Sequence, residues 1–369
     1  NLYASDITNI QAGRDLYNPP LVPNQSVPFI ELGGIGTLNV QAGRNLGPLT
    51  SANEALAQGY LPKGSKAYPG IRTVGGLNNY YLSREGANIS VNFGLAPAMK
   101  NYVATVERDT LPTIQIATDE FAEIYLNPAI AHDPSNAADK LGTPNYNQQL
   151  VAFVGQYQQD VLSRAGQSDK AELQQAAQTW SVLSATEQGK YAATAWSAFK
   201  NLASGQRQAF VGKVFLDVLN QVGNDYNNKN SPFKGQYARG YQAINTLFPA
   251  SLGYTANSSS GGQNGADVLQ KTGTFDMRGS TVQTQKGGDV SIIGPGGKVL
   301  VGSTSAPPQV AKSESSSGVG PNNQGILTLE AGKIGLFSDD SILLAQSRIF
   351  TEQGGDILIW SSNGDVNAG

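Results

Sequence analysis

The chain has 369 residues, a net charge of −3, no cysteine and 14% charged side chains, where about 25% is usual in globular domains. With no basic run it lacks the electrostatic footprint for nucleic acid or an anionic membrane surface, and no apolar stretch of about 18 residues is present to span a bilayer. Glycine (43) and uncharged polar residues fill the gap, a mix that suits stacked β-coils, where turns need Gly and Asn and hydroxyl or amide ladders run along the stack.

In chain order, residues 1–110 read as β-helix coils with long loops. The chain opens with Asn1-Leu2-Tyr3 in strand-like sequence rather than a signal peptide, so either a leader lies far upstream or the protein is cytoplasmic; the lack of cysteine suits a chain crossing an oxidising periplasm unfolded. Ile10-Gln-Ala-Gly-Arg-Asp-Leu16 recurs as Val40-Gln-Ala-Gly-Arg-Asn-Leu46, with Leu329-Glu-Ala-Gly-Lys-Ile334 as a looser third copy. Each joins a short apolar strand, a glycine corner and the start of another strand.

Residues 111–254 read as an inserted helical lobe, its helices at about 145–248. Leu150, Val151, Val154 and Tyr157 keep helical spacing, as do Leu173, Ala176 and Trp180 after a candidate Asp169 cap. Ser184-Ala-Thr-Glu187 reads as a capping box, and Phe210, Val211, Val214, Phe215, Val218 and Val222 form the cleanest amphipathic stripe. Residues 255–369 return to β-helix coils, with a flexible return at about 255–265 and a loop at about 303–323. Here Ser280–Ile293 matches Ser347–Trp360 at an offset of 67 residues, which corresponds to about three coils of roughly 20–25 residues. The expected fold is thus mainly β, a parallel β-helix interrupted by an α-helical lobe. One coil cannot bury its apolar face alone; stacked neighbours bury it jointly.

Gln346-Ser-Arg-Ile-Phe-Thr351, followed by Gly354-Gly-Asp-Ile-Leu-Ile-Trp-Ser-Ser-Asn-Gly-Asp-Val-Asn-Ala-Gly369, resembles a domain of unknown function. That domain lies toward the C-terminal part of filamentous-haemagglutinin-like exoproteins. The resemblance extends to Glu31–Leu46, to Gly240-Tyr-Gln-Ala-Ile-Asn-Thr-Leu-Phe-Pro249 and to Gly294-Pro-Gly-Gly-Lys-Val299. It implies a two-partner-secretion adhesin, exported through a dedicated outer-membrane transporter and folding outside the cell as a right-handed β-helix. Its roles would be adhesion, aggregation or biofilm cohesion. The family's domain has no defined catalytic residues to carry over.

The residues themselves offer little chemistry. His132, the single histidine, has neither nucleophile nor fellow ligands near it in sequence and reads as a loop residue. Asp289 and Asp356 both follow Gly-Gly; three coils apart they would stand about 14 Å from each other, too far for a glycosidase pair, and they read as turn acceptors. The same Gly-Gly-Asp segments lack the second half of a calcium-binding β-roll repeat, and Asp339-Asp340 is a single acidic pair. Leu32-Gly-Gly-Ile-Gly36 and Gly294-Pro-Gly-Gly297 lack the Lys-Ser/Thr of a phosphate loop and read as turns.

Neither a metal nor a cofactor is expected. Tyr80 and Tyr81, in a loop after Asn78-Asn79, are the best candidate ligand contacts, with Trp360 at a coil strand's end as a third; Trp180, Tyr191 and Trp196 lie on helical stripes.

Three functions compete. The first is a non-catalytic, extracellular segment of a bacterial surface adhesin that meets a carbohydrate, an exopolysaccharide or a host-cell receptor. The second is the stalk of a contact-dependent growth-inhibition exoprotein, whose deciding residues would lie downstream. The third, a polysaccharide-degrading β-helix enzyme, needs a cluster of acidic and basic residues that the sequence does not display.

Overall fold

In the computed structural model the described residues are 1–17, 29–49, 70–96, 114, 116–131, 145–254, 273–278, 280–302, 325–345 and 347–368. His132, the return at 255–265 and the loop at 303–323 lie outside them. Helix outweighs strand among the described residues, so the fold is mixed α/β rather than mainly β. The chain divides into two units, residues 1–2, 8–115 and 250–369 in one, residues 3–7 and 116–249 in the other.

The first unit holds three parallel sheets. One has the strand order β1 (Ile7–Ala12), β3 (Thr37–Ala42), β5 (Asn88–Asn92), β8 (Val290–Gly294), β11 (Ile334–Ser338) and β14 (Ile357–Ser361). The second has β13 (Arg348–Thr351), β10 (Gly325–Thr328), β7 (Thr281–Thr284), β4 (Gly70–Gly75) and β2 (Phe29–Gly33). In the third, β15 (Val366–Asn367), β12 (Ile342–Leu343), β9 (Val299–Leu300) and β6 (Phe275–Asp276) follow one another. The chain visits the second, first and third sheets in turn, as in β7-β8-β9, and each such pass is one rung.

Register places like on like. Ile71, Val282, Ile326 and Ile349 align across the second sheet, Val91, Ile292, Leu336 and Ile359 across the first, and Phe275, Val299, Ile342 and Val366 across the third. Most of these side chains are fully buried and share one core. Each fully buried one contributes about 1.5–3 kcal/mol by leaving water. In the last rung Ile357 and Val366 are exposed. Corners need small residues: Gly288 sits at φ +104°, and a Cβ there would stand 2.5 Å from the Ala87 carbonyl oxygen.

The insertion falls within a rung. Leu46 bridges Leu16 on one side and Phe275 on the other, both in parallel, so β6 supplies the third-sheet strand that β4 and β5 lack. Residues 116–249 therefore interrupt a rung without shifting its register.

Two expectations about the repeats need correction. Segments 280–293 and 347–360 lie two rungs apart, with β10 and β11 between them; the step from Thr281 to its partner Gly325 is 44 residues and that from Gly325 to Arg348 only 23, so the offset counts fewer rungs than its size suggests. Leu329–Ile334 spans the corner between β10 and β11, whereas the two Gln-Ala-Gly-Arg copies follow first-sheet strands. The third copy shares their letters but turns a different corner.

The second unit has seven helices among its described residues: α1 (Thr118–Leu126), α2 (Pro128–Ala131), α3 (Asn147–Arg164), α4 (Glu172–Gln178), α5 (Ala185–Lys200), α6 (Ser204–Asn227) and α7 (Ala238–Leu247). Helix thus begins at Thr118, ahead of the 145–248 stretch: Phe121, Ala122, Tyr125 and Leu126 give α1 a buried face too short for the periodicity to stand out. Ser184 and Glu187 form the reciprocal capping box at α5. Asp169 does not cap α4, whose N-cap is Ala171. The α6 stripe is buried as its spacing predicts, and Phe215 meets Phe121 and Phe248 edge-on at 6.1 and 5.8 Å.

Candidate functional site

The site begins with a column of threonines. Thr73, Thr284, Thr328 and Thr351 align across four second-sheet strands. Each hydroxyl donates to a backbone carbonyl just before the next first-sheet strand, Thr284 to Gly288 at 3.0 Å, Thr328 to Gly332 at 3.2 Å and Thr351 to Gly355 at 3.3 Å, always four residues on. A side-chain hydroxyl that closes a turn in this way satisfies a carbonyl the sheets leave unpaired.

Thr73 makes the same bond to Ala87 at 2.8 Å, but across fourteen residues. Asn88 aligns with Asp289 in the adjoining rung, since Ile89 pairs with Val290. Ala87 therefore occupies the position of Gly288, and residues 76–85 are excess chain extruded from an otherwise standard corner.

That excess is an ordered loop. Leu77 N–H donates to Val74, Asn79 to Gly76 and Leu82 to Asn79, at 3.1–3.3 Å. The Asn79 side chain accepts from Tyr81 N–H at 3.0 Å, and the Ser83 hydroxyl from Glu85 N–H at 3.2 Å. Gly86 N–H donates to the Lys286 carbonyl at 2.6 Å and pins the loop to the next rung. Short loops with joined ends that pack on themselves are frequently functional.

At its tip the loop presents Tyr80 and Tyr81, 84% and 77% exposed. Their ring centroids stand 4.1 Å apart at 35°, and the Tyr80 hydroxyl donates to that of Tyr81 at 2.8 Å. This hydrogen bond raises the Tyr80 pKa above its ordinary value. Two rings this exposed carry a solvation cost that a packing role would have removed.

Beside the loop lies a groove of about 440 Å³, lined by Gly76, Leu77, Arg84, Glu85, Lys286 and Glu330. The loop supplies the first four; Lys286 and Glu330 come from the same corner of the two following rungs and pair at 2.8 Å. Among the described residues Arg84 has no ion-pair partner. Two cations and two carboxylates thus line a small open groove against the two ends of the loop whose tip carries the tyrosine pair.

The third sequence candidate is elsewhere. Trp360 aligns with Phe337, and Phe337 with Ile293; at 8% exposure its ring is spent on this column, with its Nε1–H donating to the Ser362 hydroxyl at 3.3 Å. Its ring thus packs in the column rather than standing exposed as Tyr80 and Tyr81 do.

Asp289 and Asp356 lie two rungs apart, about 10 Å at the strand spacing, rather than three. Lys333 stands between them: its backbone N–H donates to the Asp289 carboxylate at 2.9 Å, and its ammonium pairs with Asp356 at 3.0 Å. Asp289 thus acts as a corner acceptor. Asp339 is buried and accepts from the Asn363 amide at 2.8 Å. Among the described residues no three His, Cys, Asp or Glu side chains gather as a metal site, and no helix is long and apolar enough to cross a membrane.

No family model, no curated protein and no solved structure matches this chain.

Proposed function

We propose that this chain is a non-catalytic segment of a secreted bacterial surface adhesin of the filamentous-haemagglutinin type, exported by two-partner secretion. In this reading the three parallel sheets are the faces of a right-handed parallel β-helix, the hand that parallel crossover connections almost always take. The observation that carries it is the constant register from β4 and β5 through β13 and β14: the extra residues 76–85 leave between strands and not within one. Such a scaffold holds exposed segments in place while its own core stays constant. A frame that tolerates insertion at its corners suits contact with other surfaces, and Tyr80-Tyr81 is what one corner displays. Low charge and the absence of cysteine agree with passage through the periplasm.

The test is made on intact bacteria carrying the full-length gene. Antibody against this segment should label unpermeabilised cells, and deleting the segment should reduce aggregation or attachment. Labelling only after permeabilisation would overturn the reading. Incubation with a panel of polysaccharides should release no new reducing ends; their release would assign catalysis instead.

A further inference from the structure

We propose that the corner loop and its groove form a binding site for a neutral saccharide, an inference that rests on the adhesive reading above and names its ligand class. Three observations converge on that chemistry. The first is the tyrosine pair: in contact at a 35° tilt and otherwise exposed, the rings offer outward faces to the apolar C–H face of a pyranose. The second is the charge balance of the groove. Arg84 and Lys286 are offset by Glu85 and Glu330, so no net field recruits a uronate, a sulfate or a phosphate. Guanidinium and carboxylate groups do match vicinal hydroxyls, since one presents paired donors and the other paired acceptors.

The third is size. About 440 Å³ falls within the roughly 300–1,000 Å³ of small-ligand sites, whereas a stable protein partner needs more than about 1,000 Å² of buried surface. Two rings and one shallow groove do not supply that area. The order of the loop adds to affinity, because Asn79, Ser83 and the Lys286 carbonyl fix the backbone that carries the rings before any ligand arrives.

The experiment uses the whole chain on an array of neutral gluco-, manno- and galacto-oligosaccharides, with uronate-containing and sulfated oligosaccharides as a second arm. Affinities are then measured in solution for the parent, Tyr80→Ala/Tyr81→Ala, Arg84→Ala and Tyr80→Phe/Tyr81→Phe chains. The proposal expects binding in the neutral arm. It expects a loss of roughly tenfold or more without the rings, a comparable loss without Arg84, and recovery of most of the affinity with phenylalanine. All the altered side chains are exposed, so circular dichroism and the melting temperature should not move.

Binding that all variants share, or binding confined to the acidic arm, would overturn the site. So would a chain that binds no saccharide but captures a protein through these rings. Each of those results leaves surface labelling and aggregation untouched, so failure of the site is separable from failure of the adhesive reading.

Discussion

Asn45 holds Thr274 across a separation of 229 residues: its side-chain oxygen accepts from the Thr274 backbone N–H at 3.0 Å. Its amide nitrogen donates to Asp15 at 3.0 Å. One side chain thereby joins the rung before it to the rung that the helical insertion interrupts. Arg44 adds a two-pronged contact to Asp15, whose pKa is lowered because hydrogen bonds and positive charge outweigh the effect of its burial.

Asn45→Ala should therefore destabilise the first unit by about 1–2 kcal/mol, the cost of losing two hydrogen bonds that are partly shielded from water. Urea unfolding followed by circular dichroism measures it. Parent-like stability would mean that β6 docks without this tie.

The threonine column makes a graded prediction. Thr328 is fully buried, while Thr351 is exposed enough for water to replace its bond. Thr328→Val should cost about 1–1.5 kcal/mol, because the partly shielded Gly332 carbonyl is left without its donor. Thr351→Val should cost less than half as much. Equal costs would show that the hydroxyls do not close the corners.

In the second unit Arg239 pairs with Asp225 and lies over the Phe233 ring at 4.0 Å, while Tyr226 stacks on Tyr237 at 4.1 Å. Together they close the chain between α6 and α7. Arg239→Met should cost about 1–2 kcal/mol, since it removes the charged partner of a half-buried carboxylate that keeps its bond from Ser231. Burial alone would raise the Asp225 pKa, but hydrogen bonds from Arg239, Gln221 and Ser231, with the Arg239 charge, hold it below its ordinary 3.8. A lowered folded-state pKa gives stability that is complete above the unfolded pKa and fades as pH falls through the folded one. The parent should lose helical stability below about pH 4, and Asp225→Asn should flatten that slope. A slope unchanged by Asp225→Asn would place the acid sensitivity in other carboxylates.

How far the sequence foretold these features follows from what each depends on. Ser184–Glu187 and the α6 stripe are local patterns, complete within a few turns, and both appear as read. Gly287-Gly288-Asp289 and Gly354-Gly355-Asp356 revealed the repeat but not its count, because the rung between them turns on Glu330-Ala331-Gly332 and hides from direct comparison. Tyr80-Tyr81 stood out as adjacent aromatics in a polar loop. Lys286 and Glu330 did not, since they meet only through stacking, 44 residues apart. Their common place, two residues before a corner glycine, was the available signal. Trp360 looked the same whether exposed or packed; only its alignment with Phe337 decides.

The most direct measurement removes residues 76–85. That deletion joins Gly75 to Gly86 and leaves Thr73 four positions from Ala87, the spacing of Thr284 and Gly288. The rungs should close and the chain should fold with parent-like circular dichroism. Bacteria displaying the shortened protein should lose attachment and aggregation to the level of cells without the segment. Full attachment by a folded, displayed protein lacking the loop would contradict the account.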